Sequence, residues 1–318
     1  MLFPELDNIR AAVVGDFCLD VYWYADMTKS ELSRETPHFP LPVTKEVTSP
    51  GGAGNVANNL SALKIAAVYA IGVAGCDWRG EAMLKVLESK GIDTSGIVRV
   101  ENRFTNTYIK PCKIGYSGVP VEDARIDFEA REALDENSEA EILKRLDEIA
   151  GKVDVICVCD QMAFGCITTK VRERLIELGK HGKTVIVDSR DRIGLYTNVI
   201  VKPNDIEASR AAGESDPVKC AEFLSEKTGK PAIVTCGADG CVVFENGKAA
   251  KVPANKNITG ETDICGAGDT FLSAFSVSVA SGKSLKDSAA FANAASCVTV
   301  HKLGQTGVAS REEIAEIL

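Results

Sequence analysis

Short apolar segments alternate with longer amphipathic patterns along most of this 318-residue chain. Segments such as Val153–Val158 are apolar on both faces of a strand, as expected where helices cover both sides of a sheet. Strands that alternate with helices predict an α/β fold with a mostly parallel central sheet flanked by helices. The predicted strands are Ala11–Val14, Val68–Gly72, Val153–Val158, Thr184–Val187, Val199–Val201 and Ala232–Thr235. The predicted helices are Gly54–Leu63, Gly80–Lys90, Ser138–Ile149, Thr168–Leu178, Asp205–Ala212, Pro217–Lys227, Ala267–Ala280 and Leu285–Val300.

Two stretches interrupt this alternation, at approximately residues 17–47 and 105–128. Both contain strand-like patches, such as Tyr22-Trp23-Tyr24, among prolines, serines and charges. We expect them to form a small inserted β lid that covers the substrate and excludes water; the alternative is a pair of exposed hairpins. Because no linker or repeat is visible, residues 1–318 are expected to form a single domain. The aromatic patch needs cover on both strand faces, which predicts a homodimer joined through the lid unless the hairpin packs on its own domain.

Composition and charge disfavour several classes of function. The net charge of −9 argues against nucleic acid or an anionic membrane as the main partner. No stretch approaches the roughly 20 apolar residues of a membrane span, and Met1–Asp7 lacks the basic and apolar regions of a signal peptide. The eleven cysteines are scattered, and this odd number favours reduced thiols and predicts a cytoplasmic protein. With three widely separated histidines, metal sites or triads based on histidine are disfavoured.

The segment Asp263–Thr270 contains the most informative motif, a Gly-Ala-Gly-Asp box. Gly266 and Gly268 have no side chains that would block a ligand, so successive backbone N–H groups can point at an anion. The residues from Thr270 onwards predict a helix whose dipole has its positive end at the same place. Asp269 would stand beside this anion as a proton acceptor for an attacking hydroxyl. This arrangement suits phosphoryl transfer; the alternative is a glycine-rich turn capped by the aspartate.

Further turns rich in glycine and acidic residues follow predicted strands or open a helix. In a doubly wound sheet, the carboxyl ends of the strands face the ligand crevice. Turns at these positions are therefore expected to contribute to one site. They are Gly15–Asp20, Pro50–Asn59, Lys202–Glu207 and Thr235–Gly240.

In this order, the motifs resemble the ribokinase (PfkB) family of carbohydrate kinases, and the resemblance covers nearly the whole chain. Within the family, Gly15–Asp20, Arg125–Glu129 and Phe291–Ala295 are most similar to the bacterial D-glycero-D-manno-heptose 7-phosphate kinases. The resemblance implies a ribokinase-like fold and transfer of the γ-phosphoryl group of ATP to a carbohydrate hydroxyl, with Mg²⁺ as the metal. The most similar specificity is heptose 7-phosphate, phosphorylated at its anomeric hydroxyl.

The resemblance also implies which residues bind the acceptor and act on it. Asp269 resembles the family's catalytic base, with Gly266, Ala267 and Gly268 holding the charge on the transferred phosphoryl group. Asp20 is expected to accept hydrogen bonds from sugar hydroxyls, the alternative being that it caps a turn. The expected substrate-binding residues are Asp20, Gly51, Gly52, Asn55 and Arg125.

The nucleotide-binding residues come from later turns. Asn204 and Glu207, three residues apart at a helix start, are expected to position Mg²⁺ through water, and Asn204 also to face the nucleotide. The alternative for this pair is a helix-capping pattern. Thr235, Gly237 and Gly240 fit the turn that holds the nucleotide phosphates and ribose.

Two further roles follow only from the resemblance. Asn293, on a late helix, is a candidate for the adenine pocket or equally a packed core amide. Asp263 is the candidate ligand of a monovalent cation, K⁺, together with a late loop at Gly304–Val308. The family's commoner box has threonine where Ile264 and Cys265 stand, so this chain departs from the pattern next to the expected cation.

The segment Cys159–Gly165 bears on the acceptor. Heptose kinases resemble Asp-Tyr-x-Lys-Gly there, and this chain has neither the tyrosine nor the lysine. The change predicts the loss of a phosphate contact, so ribose, fructose, a sugar acid or a nucleoside stand as alternative acceptors. Other candidates for holding a substrate phosphate are Lys110, Arg125, Arg190 and Arg192.

Two readings from other classes compete with a kinase. The first is a catalytically silent sugar-binding regulator built on the same fold, against which the retained Asp269 and glycines argue. The second is a Rossmann dehydrogenase, which is disfavoured because no Gly-x-Gly-x-x-Gly follows the first strand.

Overall fold

The computed structural model describes residues 3–255, 261–303 and 306–318. Strands and helices alternate along most of this length. The strands are β1 (Arg10–Gly15), β2 (Phe17–Asp26), β3 (Val43–Gly52), β4 (Ala67–Gly75), β5 (Asp93–Val100), β6 (Thr107–Ile114), β7 (Pro120–Glu122), β8 (Ile126–Phe128), β9 (Val155–Asp160), β10 (Thr184–Ser189), β11 (Ile200–Val201), β12 (Ala232–Thr235), β13 (Cys241–Glu245) and β14 (Lys248–Val252). The helices are α1 (Ala53–Ala62), α2 (Trp78–Ser89), α3 (Glu136–Ala150), α4 (Thr169–Lys180), α5 (Asp205–Ala212), α6 (Pro217–Thr228), α7 (Ala267–Ala280), α8 (Leu285–Val300) and α9 (Arg311–Ile317).

In the described part of the chain, a large sheet of nine strands has the order β14-β13-β12-β11-β10-β9-β1-β4-β5. The strands from β12 to β5 pair in parallel, whereas β13 and β14 add an antiparallel edge. The predicted mostly parallel sheet flanked by helices is therefore confirmed. Because β1, β9, β10 and β11 are neighbours, the turns at their carboxyl ends lie side by side.

Helices cover both faces of this large sheet. Along β1, Ala11 and Val13 pack into one apolar cluster with residues of α1, α7 and α8, whereas Ala12 and Val14 pack into another with residues of α3, α4 and α6. This alternation follows from the two-residue period of a strand, whose side chains point to opposite faces. Burial on both faces fixes the strands, and the strands in turn fix the turns that follow them.

The two interrupting stretches form a separate small sheet, with the order β3-β2-β6-β7 and with β8 paired to β6, in the residues that the structure describes. β2 follows β1 almost directly, pairs antiparallel with β3 and parallel with β6, and β3 leads into α1. The chain thus enters and leaves this sheet next to the carboxyl end of β1. This path places Asp20 of β2 and Gly51 of β3 beside the turns of the large sheet.

Three sets of elements were missed from the sequence: β5, the β13–β14 hairpin and α9. The hairpin carried a readable signal, because Asn246-Gly247 is a dipeptide typical of tight hairpin turns and both residues have positive φ, 51° and 72°. The capping box between Ser310 and Glu313 likewise marked the start of α9. β5 is interrupted by polar residues and a glycine, which hid its apolar pattern.

All eleven cysteines are free thiols, and most are buried. Burial raises the pKa of several of them, for example of Cys157 to about 12, so these thiols stay protonated at neutral pH. Among the described residues, none of the helices combines the length and the apolar character needed to cross a membrane.

Candidate active site

The start of α7, predicted to bind an anion, leaves backbone N–H groups open at the carboxyl end of the large sheet. Gly266 is the N-cap, with a left-handed φ of 78°, and no side chain caps the helix. Ala267 donates its N–H to the carbonyl of Ile264, but the N–H groups of Gly268 and Asp269 have no acceptor among the described residues. A Cβ added at Gly268 would meet nothing within 4 Å, so the space there is open. Free N–H groups at a helix N-terminus bind anions such as phosphate.

Asp269 lies in the first turn of α7, next to these N–H groups. Its Oδ2 accepts a hydrogen bond of 2.9 Å from Nδ2 of Asn55 in α1. Burial raises the pKa of Asp269 to about 7, assisted by Asp188, while Asn55 and Lys202 lower it. A carboxylate that titrates near neutral pH is well matched to accept a proton from a hydroxyl.

Asn55, predicted to contact substrate, also holds the catalytic candidate. Its side chain is only 4% exposed, and its Oδ1 has no hydrogen-bond partner among the described residues. A Cβ at Gly266 would come within 2.9 Å of its Nδ2, so glycine is needed there for the amide to keep its place. A buried, unpaired carbonyl oxygen is costly unless a ligand or water donates to it. A sugar hydroxyl is suited to that role.

A buried ion pair, which the sequence reasoning missed, lies behind Asp269. Lys202, at the end of β11, is 2% exposed, and its Nζ lies 2.8 Å from Oδ2 of Asp188 at the end of β10. Burial alone would lower the pKa of Lys202, but Asp188, Glu207 and Asp269 raise it above its ordinary value. The ammonium group therefore stays charged among the carboxylates. The sequence feature that could have indicated this ion pair is a lysine directly after a buried strand.

Asp20 projects from the small sheet toward the same region. Its Oδ2 lies 3.9 Å from Nζ of Lys110, which also donates to the hydroxyl of Tyr22 at 3.0 Å. Burial raises the pKa of Asp20, while Lys110 and Arg125 lower it. A Cβ at Gly51 would lie 3.1 Å from Cγ of Asp20 and still closer to a neighbouring thiol, so glycine leaves this carboxylate room.

Gly52 closes the connection between the two sheets. It has a φ of 54°, and a Cβ there would come within 2.4 Å of the carbonyl oxygen of Asp16. A larger residue would push β3 away from the end of β1. The glycine therefore sets how closely the small sheet approaches the start of α1.

Most of the cations predicted to hold a substrate phosphate already have partners. Arg125 donates twice to Asp127, at 2.7 Å each, and stacks on the ring of Tyr108. Lys110 lies near Asp20 and donates a hydrogen bond to Tyr22. Arg192 is fully engaged elsewhere, whereas Arg190 forms no hydrogen bond or ion pair through its side chain with the described residues.

Asp16, directly after β1, holds the loop that follows β9. Its carboxylate accepts the backbone N–H groups of Gln161, Met162 and Cys166 at 2.8, 2.7 and 2.7 Å. Burial raises the pKa of Asp16 to about 6, while these hydrogen bonds lower it. A Cβ at Gly165 would lie 2.0 Å from Oδ1 of Asp16, so only glycine lets the loop close. The sequence reasoning gave Asp16 no role of its own.

Arg192 holds the same loop from the other side. Asp160 is 1% exposed and accepts hydrogen bonds from Ser189 at 2.7 Å, from the hydroxyl of Tyr196 at 3.0 Å, and from Arg192. Arg192 also donates to the carbonyl of Met162 at 2.7 Å. Its guanidinium is therefore committed to this buried network and is not available to a substrate phosphate.

On the nucleotide side, Asn204 and Glu207 form a capping box at the start of α5. Asn204 Oδ1 accepts the N–H of Glu207 at 2.8 Å, and Glu207 Oε2 accepts the N–H of Asn204 at 2.9 Å. Glu207 Oε1 forms no hydrogen bond with the described residues and faces a region that also contains Asp188 and Lys202. One oxygen thus remains for a metal-bound water.

A metal ion here would need ligands beyond the protein. Within the described ranges, no group of three or more His, Cys, Asp or Glu side chains lies together in a metal-binding arrangement. Mg²⁺ suits such a place, because it keeps several waters and is commonly held by one or two carboxylates and substrate phosphates.

The turn after β12 leaves backbone accessible to a ligand. Thr235 donates its N–H to the carbonyl of Pro203 at 3.0 Å, which ties this turn to the start of α5. Gly237 has a φ of 53°, and nothing lies within 4 Å of a Cβ added there. Gly240 has a φ of 88°, and its Cβ would come within 2.2 Å of the carbonyl oxygen of Val252. Gly237 therefore offers open space, whereas packing requires Gly240.

The remaining candidates lie at the edge of this region. Asn293 donates its amide to the carbonyls of Val252 and Pro253 at 3.2 and 3.0 Å, so the packed core amide is present and a nucleotide contact stays a prediction. Asp263 accepts the N–H of Cys265 at 2.9 Å. The proposed cation loop falls partly outside the described residues, because Gly304 lies there.

Comparisons with known proteins identify the family to which this chain belongs. The family model for pfkB family carbohydrate kinases matches residues 9–311. The bifunctional protein HldE of Helicobacter pylori is 33% identical over 321 residues and 97% of this chain, and that of Citrifermentans bemidjiense is 32% identical over 326 residues and 99% of it. The chain spans 66% and 64% of the lengths of these two relatives.

Solved structures share the fold at low identity. Phosphofructokinase-2 from Escherichia coli gives a TM-score of 0.72 at 20% identity, covering 98% of each chain. The ribokinase of Arabidopsis thaliana complexed with ribose and ATP gives 0.70 at 20% identity, covering 98% of this chain and 99% of that one. On its match over residues 9–311, this chain belongs to the pfkB family of carbohydrate kinases.

Proposed function

We propose that this carbohydrate kinase transfers the γ-phosphoryl group of ATP to a sugar hydroxyl, with Asp269 as the proton acceptor. The observation that carries the proposal is the pairing of two open N–H groups at the start of α7 with a carboxylate whose pKa is about 7. The N–H groups fit an anion, and the carboxylate fits a hydroxyl that must lose its proton. Transfer of a phosphoryl group to a hydroxyl uses both together.

Each group has a defined task in this reaction. Asn55 holds Asp269 through its amide nitrogen, and its unpaired carbonyl oxygen accepts from the acceptor hydroxyls. Asp20 accepts from further hydroxyls of the sugar. When the acceptor hydroxyl attacks, Asp269 takes its proton, and the N–H groups of Gly268 and Asp269 stabilise the charge on the transferred phosphoryl oxygens.

The residues proposed to bind the phosphoryl donor, ATP, come from the later turns of the chain. Mg²⁺–ATP supplies the phosphoryl group and neutralises part of its charge. Asn204 and Glu207 would hold the metal through water, and Thr235, Gly237 and Gly240 would line the nucleotide. The buried ammonium of Lys202 offsets the charges of Asp188 and Asp269 beside the phosphates. Asp263 is kept as the candidate ligand of K⁺.

For the acceptor, we place D-glycero-D-manno-heptose 7-phosphate first, phosphorylated at its anomeric hydroxyl. Support comes from the similarity to HldE proteins over nearly the whole chain, at 33% identity. Ribose, fructose, a sugar acid or a nucleoside are the alternatives within the class. We place the enzyme in the cytoplasm, which suits its free thiols.

The test is a phosphorylation screen with free sugars, sugar phosphates and nucleosides, using the wild type and Asp269→Asn. Turnover of ATP should depend on one class of acceptor and should be lost in the variant. If neither protein shows acceptor-dependent turnover but both bind a sugar, the chain is a silent sugar-binding regulator instead.

A homodimer joined through the small sheet is part of the same proposal. Exposed apolar side chains occur on its strands, among them Val43, Val47, Val121 and Ile126. Sedimentation at two protein concentrations, compared between the wild type and Val121→Glu, tests it. A monomer at both concentrations in the wild type contradicts the dimer.

A further inference from the structure

A cavity of about 340 Å³ opens between the small sheet and the turns after β9 and β10. Its walls come from Tyr108 of β6, the loop Gln161–Phe164, the segment Glu129–Arg131, and Arg190 with Asp191. Tyr108 is the register partner of Asp20, so both side chains lie on one face of the small sheet. The cavity therefore adjoins the face of the small sheet that carries Asp20.

Two cationic side chains in this wall have no partner in the part of the chain that the structure describes. Arg131 and Arg190 form no side-chain hydrogen bond or ion pair within the described residues. The other arginines nearby are engaged: Arg192 with Asp160, Arg125 with Asp127, and Arg210 with Asp191.

The carboxylates in the wall are already hydrogen-bonded or paired. Glu129 accepts from the hydroxyl of Tyr108 at 3.2 Å, and Asp191 accepts from Arg210, which itself lies outside this cavity. Burial raises the pKa of Glu207, and the charge of Arg190 is among the influences that lower it. The charged side chains of the wall that lack a hydrogen-bond or ion-pair partner among the described residues are thus both cationic.

The walls are held firmly enough to form a defined site. The loop from Gln161 is fastened by three hydrogen bonds to Asp16 and by Arg192, and Asn106 donates to Met162 and accepts from Ala130. These contacts fix the loop and the segment at Arg131 relative to β6. The guanidinium groups are therefore presented from a fixed frame rather than from a mobile loop.

We propose that this cavity binds a terminal phosphate group of the acceptor, held by Arg190 and Arg131. The assignment rests on the proposed function, since it names the far end of the same acceptor. Planar guanidinium groups hold phosphate oxygens through paired hydrogen bonds, and two of them match a dianion. They supply positive charge to a cavity whose loop wall, Gln161–Phe164, contains no charged side chain.

Calorimetry with matched pairs of ligands tests this on the full-length protein, saturated with Mg²⁺ and a non-hydrolysable ATP analogue. The pairs are ribose and ribose 5-phosphate, fructose and fructose 6-phosphate, mannose and mannose 6-phosphate, and sedoheptulose and sedoheptulose 7-phosphate. At least one phosphate should bind roughly tenfold or more tightly than its parent sugar. Arg190→Ala and Arg131→Ala should each reduce this preference, and the double variant should abolish it.

A matched control is Arg145→Ala, which removes the same charge from a partly exposed, ion-paired arginine of α3. It should leave the preference unchanged. Equal binding of each phosphate and its parent, no binding of any phosphate, or a preference that survives in the double variant overturns the assignment. Inorganic phosphate that binds through the arginines without competing with the sugar phosphate also overturns it, because the site would then serve a free anion.

Failure of this inference can be told apart from failure of the proposed function. If neutral sugars are phosphorylated as efficiently as the corresponding sugar phosphates, the proposed kinase activity is supported and the phosphate subsite is contradicted. If the protein prefers sugar phosphates through the two arginines but transfers no phosphoryl group, the phosphate subsite is supported and the proposed kinase activity is contradicted.

Discussion

The two ends of the candidate site are built in different ways. At the start of α7, the groups are backbone N–H groups and a carboxylate that is held by the buried Asn55 and flanked by the buried Lys202. At the predicted acceptor end, the charges sit on long, exposed side chains such as Arg125, which is paired with Asp127, and Arg190.

This difference separates the chemistry from the choice of acceptor. Backbone groups of a packed helix cannot be altered without disturbing the core, whereas an exposed arginine can be replaced at little cost in stability. We therefore expect changes at the start of α7 to affect transfer, and changes at the acceptor end to affect binding. The following predictions test that division.

The largest effect is expected from Asp269→Asn. Loss of the proton acceptor should lower kcat by roughly 10²–10⁴-fold while the acceptor Kd changes little. Because folding raises this pKa from 3.8 to about 7, the stability that it contributes is lost as pH rises through that interval. The variant should therefore unfold at no lower temperature than the wild type at pH 8.

Asp287→Asn, in the exposed first turn of α8, is the matched control for this change. Steady-state kinetics and thermal unfolding of the two variants provide the comparison. A kcat for Asp269→Asn within a factor of two of the control would remove Asp269 from the mechanism.

Lys202→Met should strongly destabilise the fold. The change leaves Asp188 buried without its partner at 2.8 Å, and breaking a buried pair on one side costs about 3–5 kcal/mol. Urea unfolding measures this free energy. The double variant Lys202→Met/Asp188→Asn should recover part of it, and a single variant within ~1 kcal/mol of the wild type would show that the pair is not important for stability.

Gly165→Ala should disturb the acceptor end while sparing the transfer chemistry. Its new Cβ would collide with Asp16, at 2.0 Å from Oδ1, so the loop must move at a cost of about 1–3 kcal/mol. We expect the acceptor KM to rise more than kcat falls.

Gly151→Ala is the control here, because nothing lies within 4 Å of a Cβ at that exposed position. A fall in kcat with an unchanged acceptor KM would contradict the division between the two ends.

The smallest effect concerns pH. Since Asp269 must be ionised to accept a proton, kcat/KM should fall as pH drops below about 7. The hydrogen bond from Asn55 lowers this pKa, so Asn55→Ala should move the acid limb to higher pH and lower kcat/KM at pH 7 roughly tenfold. A pH profile whose midpoint is the same in both proteins would mean that another group titrates.

Much of this architecture was predictable from local patterns. Apolar runs on β1 and β9 predicted strands covered on both sides, and Gly266-Ala267-Gly268-Asp269 predicted the glycine-rich start of a helix, since glycines and a helix start have local signatures. The pairing of Asn55 with Asp269 was not predictable, because these residues are 214 positions apart. Their contact depends on how α1 packs against α7.

The sequence also did not show which side chains form hydrogen bonds or ion pairs in the folded protein. Arg192 and Arg190 are two positions apart and look alike in sequence, yet Asp160 engages the first and the second is free among the described residues. The order of β9, β10 and β11 decides this, since it places Asp160 beside Ser189. A pattern along one segment contains no information about such neighbours.

The sequence by itself determined the α/β fold, the glycine-rich start of α7 and Asp269, because strand period, glycine and helix start are local properties of the chain. The tertiary structure decided which charges are free to meet a ligand. It buried Lys202 against Asp188, tied the loop at Gly165 to Asp16, and left the cavity beside Tyr108 with two arginines that have no partner among the described residues. These outcomes depend on distances between segments far apart in sequence, which only the packed sheet and helices set.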